Sequence, residues 1–157
     1  MTNPTTITAE PGTPFVDIVR EFDATPEELF RVQTDPRLIE QWLGPREYAM
    51  RVEEYDVRAG GKYRYVNTDA SGNEFGFHGV FHSVDPAKLV IQTWEWEGMP
   101  GQATLERASY EDLGNGRTRL TTRTVFPSVE ARDATVASGM SRGILDSHAR
   151  LDELLSA

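Results

Sequence analysis

The sequence contains no cysteine and only three histidines among its 157 residues. The absence of cysteine excludes disulfides, thiolate metal sites and thiol nucleophiles. No apolar run approaches the roughly 18 residues that a membrane-spanning helix needs. The first residues, MTNPTTITAEPGTP, lack the basic and apolar segments of a secretory signal. We therefore expect a cytoplasmic protein without a membrane partner.

Positive charge is also scarce, since 16 lysines and arginines stand against 25 acidic residues and the formal net charge is −9. A protein that binds nucleic acid needs a positive footprint that displaces counterions from phosphates. This balance argues against a nucleic-acid partner. Arg117, Arg119 and Arg123 alternate along one segment, which is typical of the solvated face of a strand.

The apolar content is sufficient for one domain. Hydrophobic residues make up 38% of the sequence and aromatic residues 10%, which permits a well-buried core in a chain of this length. Residues 1–14 are rich in threonine and proline and show no periodicity, so we predict a flexible N-terminal segment there. The single domain is predicted to span residues 15–157.

Two helix-start signals follow a first predicted strand over residues 15–22. Each consists of a capping residue before a proline, Thr25-Pro26 and Asp35-Pro36, and the first also has a glutamate positioned to complete a capping box. We predict two short helices, one reaching about Val32 and the other spanning residues 37–43.

Strand segments separated by turn residues occupy the chain from Tyr48 to Phe126. Five turns rich in glycine, proline, aspartate or asparagine divide this region into six strands. Connections this short permit only antiparallel neighbours, so the prediction, with the first strand included, is a seven-stranded antiparallel sheet. A change of alternation between Val52 and Tyr55 predicts a bulge.

A long C-terminal helix is predicted to cover one face of this sheet. Ser128 can cap it, and it would run for roughly 40 Å to near the chain end. Gly139 and Gly143 permit a bend. An α+β fold results, in which the sheet wraps around the helix. At 100° per residue one narrow stripe of the helix contains Ala137, Met140, Ile144, His148, Leu151 and Leu155.

Strand alternation places an unusual set of side chains in the interior. Lys62 and Arg64 share one face of their strand, so Tyr63 and Tyr65 share the other. Aromatic walls with a few polar groups are typical of a ligand pocket, while a filled core with tyrosine hydroxyls at its rim is the alternative. The pattern leaves open whether Glu106, Trp94 and Trp96 face inward. The predicted ligand-binding residues are Trp42, Tyr63, Tyr65, Phe75, Phe77, Phe81, Trp94, Met140, Ile144 and His148.

Catalytic and metal signatures are weak. His78 and His82 would stand about 13 Å apart on a strand and face away from the aromatic residues, so no metal site is expected. His148 could act as an acid or base, although a histidine in such a stripe is more often structural. Glu106 and Arg20 could both point inward and pair. We expect no cofactor, and His148 and Glu106 are only weak catalytic candidates.

Several short motifs in this order resemble a known family. The sequence is similar to the SRPBCC (START-like) superfamily of helix-grip proteins, and within it to bacterial proteins resembling the C-terminal domain of the activator of heat-shock protein 90 ATPase. The resemblance covers about residues 15–156 and implies a cavity for hydrophobic molecules between the sheet and the C-terminal helix. It supplies no shared catalytic residues. The motifs are Arg20-Glu21-Phe22-Asp23-Ala24-Thr25-Pro26, Trp42-Leu43-Gly44-Pro45, Asp56-Val57-Arg58-Ala59-Gly60-Gly61-Lys62-Tyr63, Leu89-Val90-Ile91-Gln92-Thr93-Trp94 and Gly116-Arg117-Thr118-Arg119-Leu120-Thr121.

One position departs from the pattern of these relatives. Many of them carry a Gly-Trp pair early in the last helix, whereas Gly139 is followed by Met140 here. A flexible methionine in place of tryptophan would reshape the pocket. A ligand therefore cannot be transferred from a relative.

Three hypotheses of function follow. The leading one is binding of a hydrophobic or aromatic small molecule by a monomer or homodimer. The second is a cofactor-free enzyme, of the cyclase or hydratase type, that uses His148 as acid or base. The third is a stress-related module with a chaperone partner, which only the family name suggests.

Overall fold

The computed structural model describes residues 3–156 and has the predicted α+β class. Its eight strands form one sheet in the order β1-β2-β8-β7-β6-β5-β4-β3, and all neighbours are antiparallel. The predicted flexible segment 1–14 and the predicted domain 15–157 include residues 1, 2 and 157, which lie outside the described part of the chain. The elements are β1 Thr6–Thr8, β2 Phe15–Phe22, α1 Pro26–Thr34, α2 Pro36–Trp42, β3 Ala49–Tyr55, β4 Lys62–Thr68, β5 Glu74–Asp85, β6 Leu89–Trp96, β7 Thr104–Gly114, β8 Arg117–Val125, α3 Val129–Ala137 and α4 Met140–Leu155.

The sheet has one strand more than the predicted seven. The additional strand, β1, lies within the N-terminal segment that was predicted to be flexible, and it pairs with β2 through Thr6 and Val19. Three residues are too few to show an alternating pattern in the sequence. The predicted bulge in β3 is confirmed, because the register with β4 shifts between Val52 and Glu54.

The predicted long C-terminal helix is two helices, which is a correction. Ser128 caps α3 as predicted, with its side chain accepting a hydrogen bond from the backbone N–H of Ala131. The chain then turns at Gly139, whose φ of 96° lies in the left-handed region. A right-handed helix cannot continue through that conformation, and glycine adopts it without steric cost. The break therefore separates α3 from α4.

The two short helices form where the capping signals predicted them. Thr25 and Glu28 make the reciprocal hydrogen bonds of a capping box at the start of α1. The indole N–H of Trp42, at the end of α2, donates to the backbone carbonyl of Val32 at 2.8 Å. This buried bond fixes the last turn of α2 against α1, so the C-terminal ends of both helices lie together.

The C-terminal helix packs on the sheet through Leu151. This residue is fully buried in one cluster with Phe22 of β2 and Leu120 of β8. Residues on the other face of β8 make ion pairs with neighbouring strands: Arg117 with Glu21 and Asp23, Arg119 with Glu111, and Arg123 with Asp17. The three arginines therefore belong to the solvated face, as predicted. Within residues 3–156 no helix is both long and apolar enough to cross a membrane.

Two leucines of α4 provide a test of this packing. Leu151→Ala should lower the free energy of unfolding by about 2–5 kcal/mol, because it leaves a cavity in a closed cluster. Leu145→Ala removes the same atoms from a side chain that is 49% exposed, and should change stability by less than about 0.5 kcal/mol. Urea denaturation of both variants measures the difference, and equal losses would contradict the packing of α4.

Candidate functional site

A cavity of about 210 Å³ lies between the inner face of the sheet and the C-terminal ends of α1 and α2. Five strands from β4 to β8 and the end of β3 contribute to its wall. No residue of α3 or α4 within the described chain lines it. The predicted position, between the sheet and the C-terminal helix, is therefore corrected. The wall consists of Gln33, Thr34, Trp42, Leu43, Tyr55, Tyr63, Tyr65, Phe81, Val90, Gln92, Trp94, Glu106, Ala108, Tyr110, Leu120 and Thr122.

Aromatic rings form one continuous side of the cavity. Tyr63 packs against Tyr55, Tyr65 and Phe81 with ring centroids 5.3–6.2 Å apart. Such separations are those of favourable offset or edge contacts between aromatic rings. The confirmed alternation of β4, with Arg64 on the outer face, presents both of its tyrosines to the interior.

Most of the phenol groups in this wall have protein partners. The hydroxyl of Tyr63 donates to the backbone carbonyl of Thr93, and the indole N–H of Trp94 donates to the hydroxyl of Tyr65 at 2.9 Å. The hydroxyl of Tyr110 donates to the side-chain carbonyl of Gln33. Burial raises the pKa of each of these three tyrosines above its ordinary value, so all three are neutral phenols at physiological pH.

Glu106 is the one acidic residue in the wall. Its backbone pairs with Gln92 on one side and Thr124 on the other, in the middle of the sheet. Protein surrounds the carboxyl, and the surface that it retains belongs to the cavity. Among residues 3–156 no hydrogen-bond donor or cation pairs with it. Desolvation alone raises the pKa of Glu106 from 4.5 to about 7.

Five of the ten predicted ligand-binding residues come together in this cavity: Trp42, Tyr63, Tyr65, Phe81 and Trp94. Phe77 stacks between Tyr65 and Trp94 behind the wall, at centroid distances of 5.2 Å. Phe75 lies further along β5 and contacts Tyr48. The three phenylalanines of β5 do lie on one face of the strand, as predicted, but only Phe81 lines the cavity.

The C-terminal helix residues of the predicted site lie elsewhere. Met140 and Ile144 pack against Val16, Ile18 and Phe126 in a separate apolar cluster. That cluster covers the end of the sheet near β2 and β8. Neither side chain reaches the cavity wall. The expectation that Met140 shapes the pocket is therefore wrong.

His148 lies outside the cavity wall and contacts other parts of the protein. Its Nδ1 lies 2.9 Å from the hydroxyl oxygen of Thr5, and its ring packs edge-on against Phe22 at 5.5 Å. Burial, with a contribution from the charge of Arg20, lowers the pKa of His148 to about 4. Arg20 pairs with Asp152 of α4 instead of Glu106. The structure therefore does not bring the two weak catalytic candidates into one site.

His78 and His82 lie on the other face of β5, as their alternation predicts. His78 Nδ1 is 2.9 Å from Glu97, which also binds Arg64 at the surface. The Nδ1 of His82 lies 2.7 Å from the hydroxyl oxygen of the adjacent Ser83. No group of three or more histidine, aspartate or glutamate side chains in the described chain is arranged to hold a metal ion.

Eleven wall residues were absent from the predicted ligand-binding set, among them Tyr55, Gln92, Tyr110 and Thr122. Those of β7 were predictable from register, because Tyr110 pairs with Leu120 of β8 across the Gly114-Asn115-Gly116 turn. Leu120 alternates with Arg119 along its strand, so strand alternation directs it to the interior. Carrying that assignment across the hairpin would have directed Tyr110, Ala108 and Glu106 inward.

Titration of Glu106 should be visible in the stability of the protein. The unfolded carboxyl ionises near pH 4.5 and the folded one at about pH 7, so the stability contributed by the protonated form is lost as the pH rises through that window. Glu106→Gln should make the protein more stable than wild type by about 3 kcal/mol above this window, given the two pKa values of Glu106.

Urea denaturation at a series of pH values measures this effect. Glu111→Gln is the matched control, since it removes an exposed carboxylate from the same strand. It loses only a surface ion pair with Arg119, so its stability should stay within about 1 kcal/mol of the wild-type value at every pH. A constant difference between Glu106→Gln and wild type across the window would contradict the buried, unpaired state of Glu106.

A glycine in β5, Gly79, leaves space for the aromatic wall. A Cβ at Gly79 would lie 2.1 Å from the carbonyl oxygen of Thr93 and 2.7 Å from the hydroxyl of Tyr63. These are the two partners of the buried phenol hydrogen bond. The space beside Gly79 is therefore filled by the end of the Tyr63 side chain.

Alanine scanning of two glycines tests that close approach. Gly79→Ala should destabilise the fold by at least about 1–3 kcal/mol, because the added methyl displaces Tyr63 or the β6 backbone. Gly143→Ala in α4 meets only Pro45, at 3.9 Å, and should stabilise the protein by up to about 1 kcal/mol. Thermal unfolding compares the two, and a neutral effect at Gly79 would refute the contact.

The sheet, the paired short helices and the C-terminal helix define a helix-grip protein with an internal cavity. The family described as Activator of Hsp90 ATPase homolog 1-like protein matches residues 23–156. The chain belongs to this family, which confirms the resemblance seen in its motifs. None of the curated proteins compared with the chain matches it.

Solved structures of bacterial proteins agree with this assignment. A crystal structure from Rhodobacter sphaeroides is 28% identical, with a TM-score of 0.89 over 98% of this chain and 99% of that chain. A solution structure from Arthrobacter aurescens is 25% identical, with a TM-score of 0.88 over 96% and 91%. A protein from Mycobacterium smegmatis, 23% identical with a TM-score of 0.87 over 98% of each chain, shares the fold.

Proposed function

We propose that this protein binds a small hydrophobic or aromatic molecule in the cavity beneath α1 and α2. The observation that carries the proposal is the cavity itself, with its aromatic side formed by Tyr63, Tyr65 and Phe81. A sheet that only had to close a core would fill this space with its own side chains, since protein interiors are close-packed. Apolar walls with a few directed polar groups are the usual lining of ligand sites.

The size of the cavity limits the ligand. An apolar cavity of about 150 Å³ accepts benzene, and most sites for drug-sized molecules exceed about 300 Å³. The volume of about 210 Å³ therefore suits a molecule with one or two rings. Larger polyketides, sterols and long acyl chains would need the cavity to open.

The two other hypotheses have less support. A cofactor-free enzyme that uses His148 would need that side chain at the ligand, whereas it lies outside the cavity wall and bonds to Thr5. A chaperone partner is suggested by the name of the family alone. The oligomeric state, monomer or homodimer, and the cytoplasmic location remain predictions.

Benzyl alcohol is a suitable neutral probe because it has one ring and one polar group. Isothermal titration calorimetry should detect saturable binding with a Kd below about 1 mM, a free energy within reach of so small a ligand. Ala108→Phe, which places a ring in the cavity wall, should weaken that binding at least about tenfold, a change of about 1.4 kcal/mol.

Ala103→Phe is the control, since it adds the same ring at an exposed position near the start of β7. It should bind benzyl alcohol as the wild-type protein does. Equal binding of benzyl alcohol by both variants would overturn the proposed function, and so would failure of the wild-type protein to bind benzyl alcohol and its charged analogues benzylamine and benzoate.

A further inference from the structure

The cavity combines a free carboxyl with an absence of cationic side chains. No lysine, arginine or histidine of the described residues lines the wall, and the carboxyl of Glu106 has no partner there. Its cross-strand neighbour, Gln92, makes no hydrogen bond to it. A carboxylate buried without a partner is destabilised by several kcal/mol. Only a proton, water or a bound molecule can therefore satisfy Glu106.

Some hydroxyl groups of the cavity wall already have hydrogen-bond partners in the protein, and others do not. Those of Tyr63 and Tyr110 are already engaged with protein carbonyl groups. Tyr55 and Thr122 have no side-chain hydrogen-bond partner among residues 3–156 and lie in the same wall. The remaining polar groups of the wall are the carboxyl of Glu106, the hydroxyls of Tyr55 and Thr122, and the side-chain amides of Gln33 and Gln92, and of these only the carboxyl can carry a charge.

The aromatic rings of the wall also favour a cationic ligand. Tyrosine and tryptophan faces attract cations through their ring quadrupoles, and the attraction grows when water is excluded. Tyr63, Tyr65 and Trp94 line the cavity together with Glu106. An anionic ligand would instead meet the Glu106 charge with no compensating cation in the wall.

We infer that the ligand of this cavity has a one- or two-ring apolar body and a basic nitrogen, whose protonated form pairs with the carboxylate of Glu106. This inference rests on the proposed function and adds the chemical class of the ligand. Organic ammonium, amidinium and protonated heterocyclic nitrogen share this chemistry. Carboxylate-bearing molecules such as fatty acids are disfavoured.

The proposed ion pair has a defined pH dependence. The titratable groups that face Glu106 across the cavity are Tyr55, Tyr63, Tyr65 and Tyr110, all neutral because burial raises their pKa values. Glu106 is thus the only group in the wall that changes charge near neutrality. Because the cation binds the ionised carboxylate, its affinity falls as Glu106 gains a proton, about tenfold per pH unit below pH 7.

Three probes of one size test the inference: benzylamine, benzyl alcohol and benzoate, titrated calorimetrically into the wild-type protein above pH 7. Benzylamine should bind about 10- to 100-fold more tightly than benzyl alcohol, as expected for a charge-assisted bond to a desolvated carboxylate. Benzoate should bind more weakly than either. The benzylamine affinity should also rise with pH until Glu106 is fully ionised.

The variant Glu106→Gln should reduce the ratio of benzylamine to benzyl alcohol affinity to near one, whereas Glu111→Gln, on the outer end of the same strand, should keep the wild-type ratio. Benzyl alcohol binding with no preference for benzylamine would overturn the inference and leave the proposed function standing. Failure of all three probes to bind would overturn both. If Glu106→Gln does not fold, a pH-independent benzylamine affinity in the wild-type protein would still refute the ion pair.

Discussion

Alternation of side chains along the antiparallel strands is the constraint on which both faces of this protein depend. Each strand from β4 to β8 sends one set of residues to the cavity and the other to solvent. In β4 the set is Tyr63 and Tyr65 against Arg64, and in β7 it is Glu106 and Ala108 against Leu105. A register slip of one residue in either strand would exchange the cavity wall for the charged outer face.

The helices divide the inner face of the sheet between a closed core and the cavity. Leu151 of α4 closes the region over Phe22 and Leu120. The ends of α1 and α2, joined by the Trp42 hydrogen bond, cover the strands beyond it. Helix α4 also supports α2, since the Ser147 hydroxyl accepts a hydrogen bond from the backbone N–H of Gly44, just after the end of α2. The short helices rather than α4 cover the cavity.

Local signals in the sequence were sufficient for most of the fold. Thr25-Pro26 and Asp35-Pro36 specify their helix starts through backbone hydrogen bonds that any sequence with those residues can form. The cavity needed long-range information. The face of Glu106 was undecided because Leu105, an apolar residue, is 46% exposed on the outer face, contrary to the usual preference.

The apolar stripe of the C-terminal helix led to a wrong prediction of the cavity wall, because it also lacked long-range information. Periodicity identifies which residues of α4 are buried but not which surface buries them, so Met140, His148 and Leu151 fell on one predicted stripe. In the structure they meet three different surroundings: a cluster near β2, a hydrogen bond to Thr5, and the central core. Four of the five predicted residues that meet at the cavity lie on strands, and Trp42 of α2 is the fifth.

Native mass spectrometry of the protein purified gently from its own host would identify the molecule that this cavity holds. We expect a one-to-one adduct of a small, nitrogen-containing aromatic or cyclic molecule, which is absent when Ala108→Phe is purified in the same way. A wild-type protein that carries a long-chain carboxylic acid instead would contradict the proposed ligand class. So would an adduct retained equally by the variant with the filled cavity, because the molecule would then bind elsewhere.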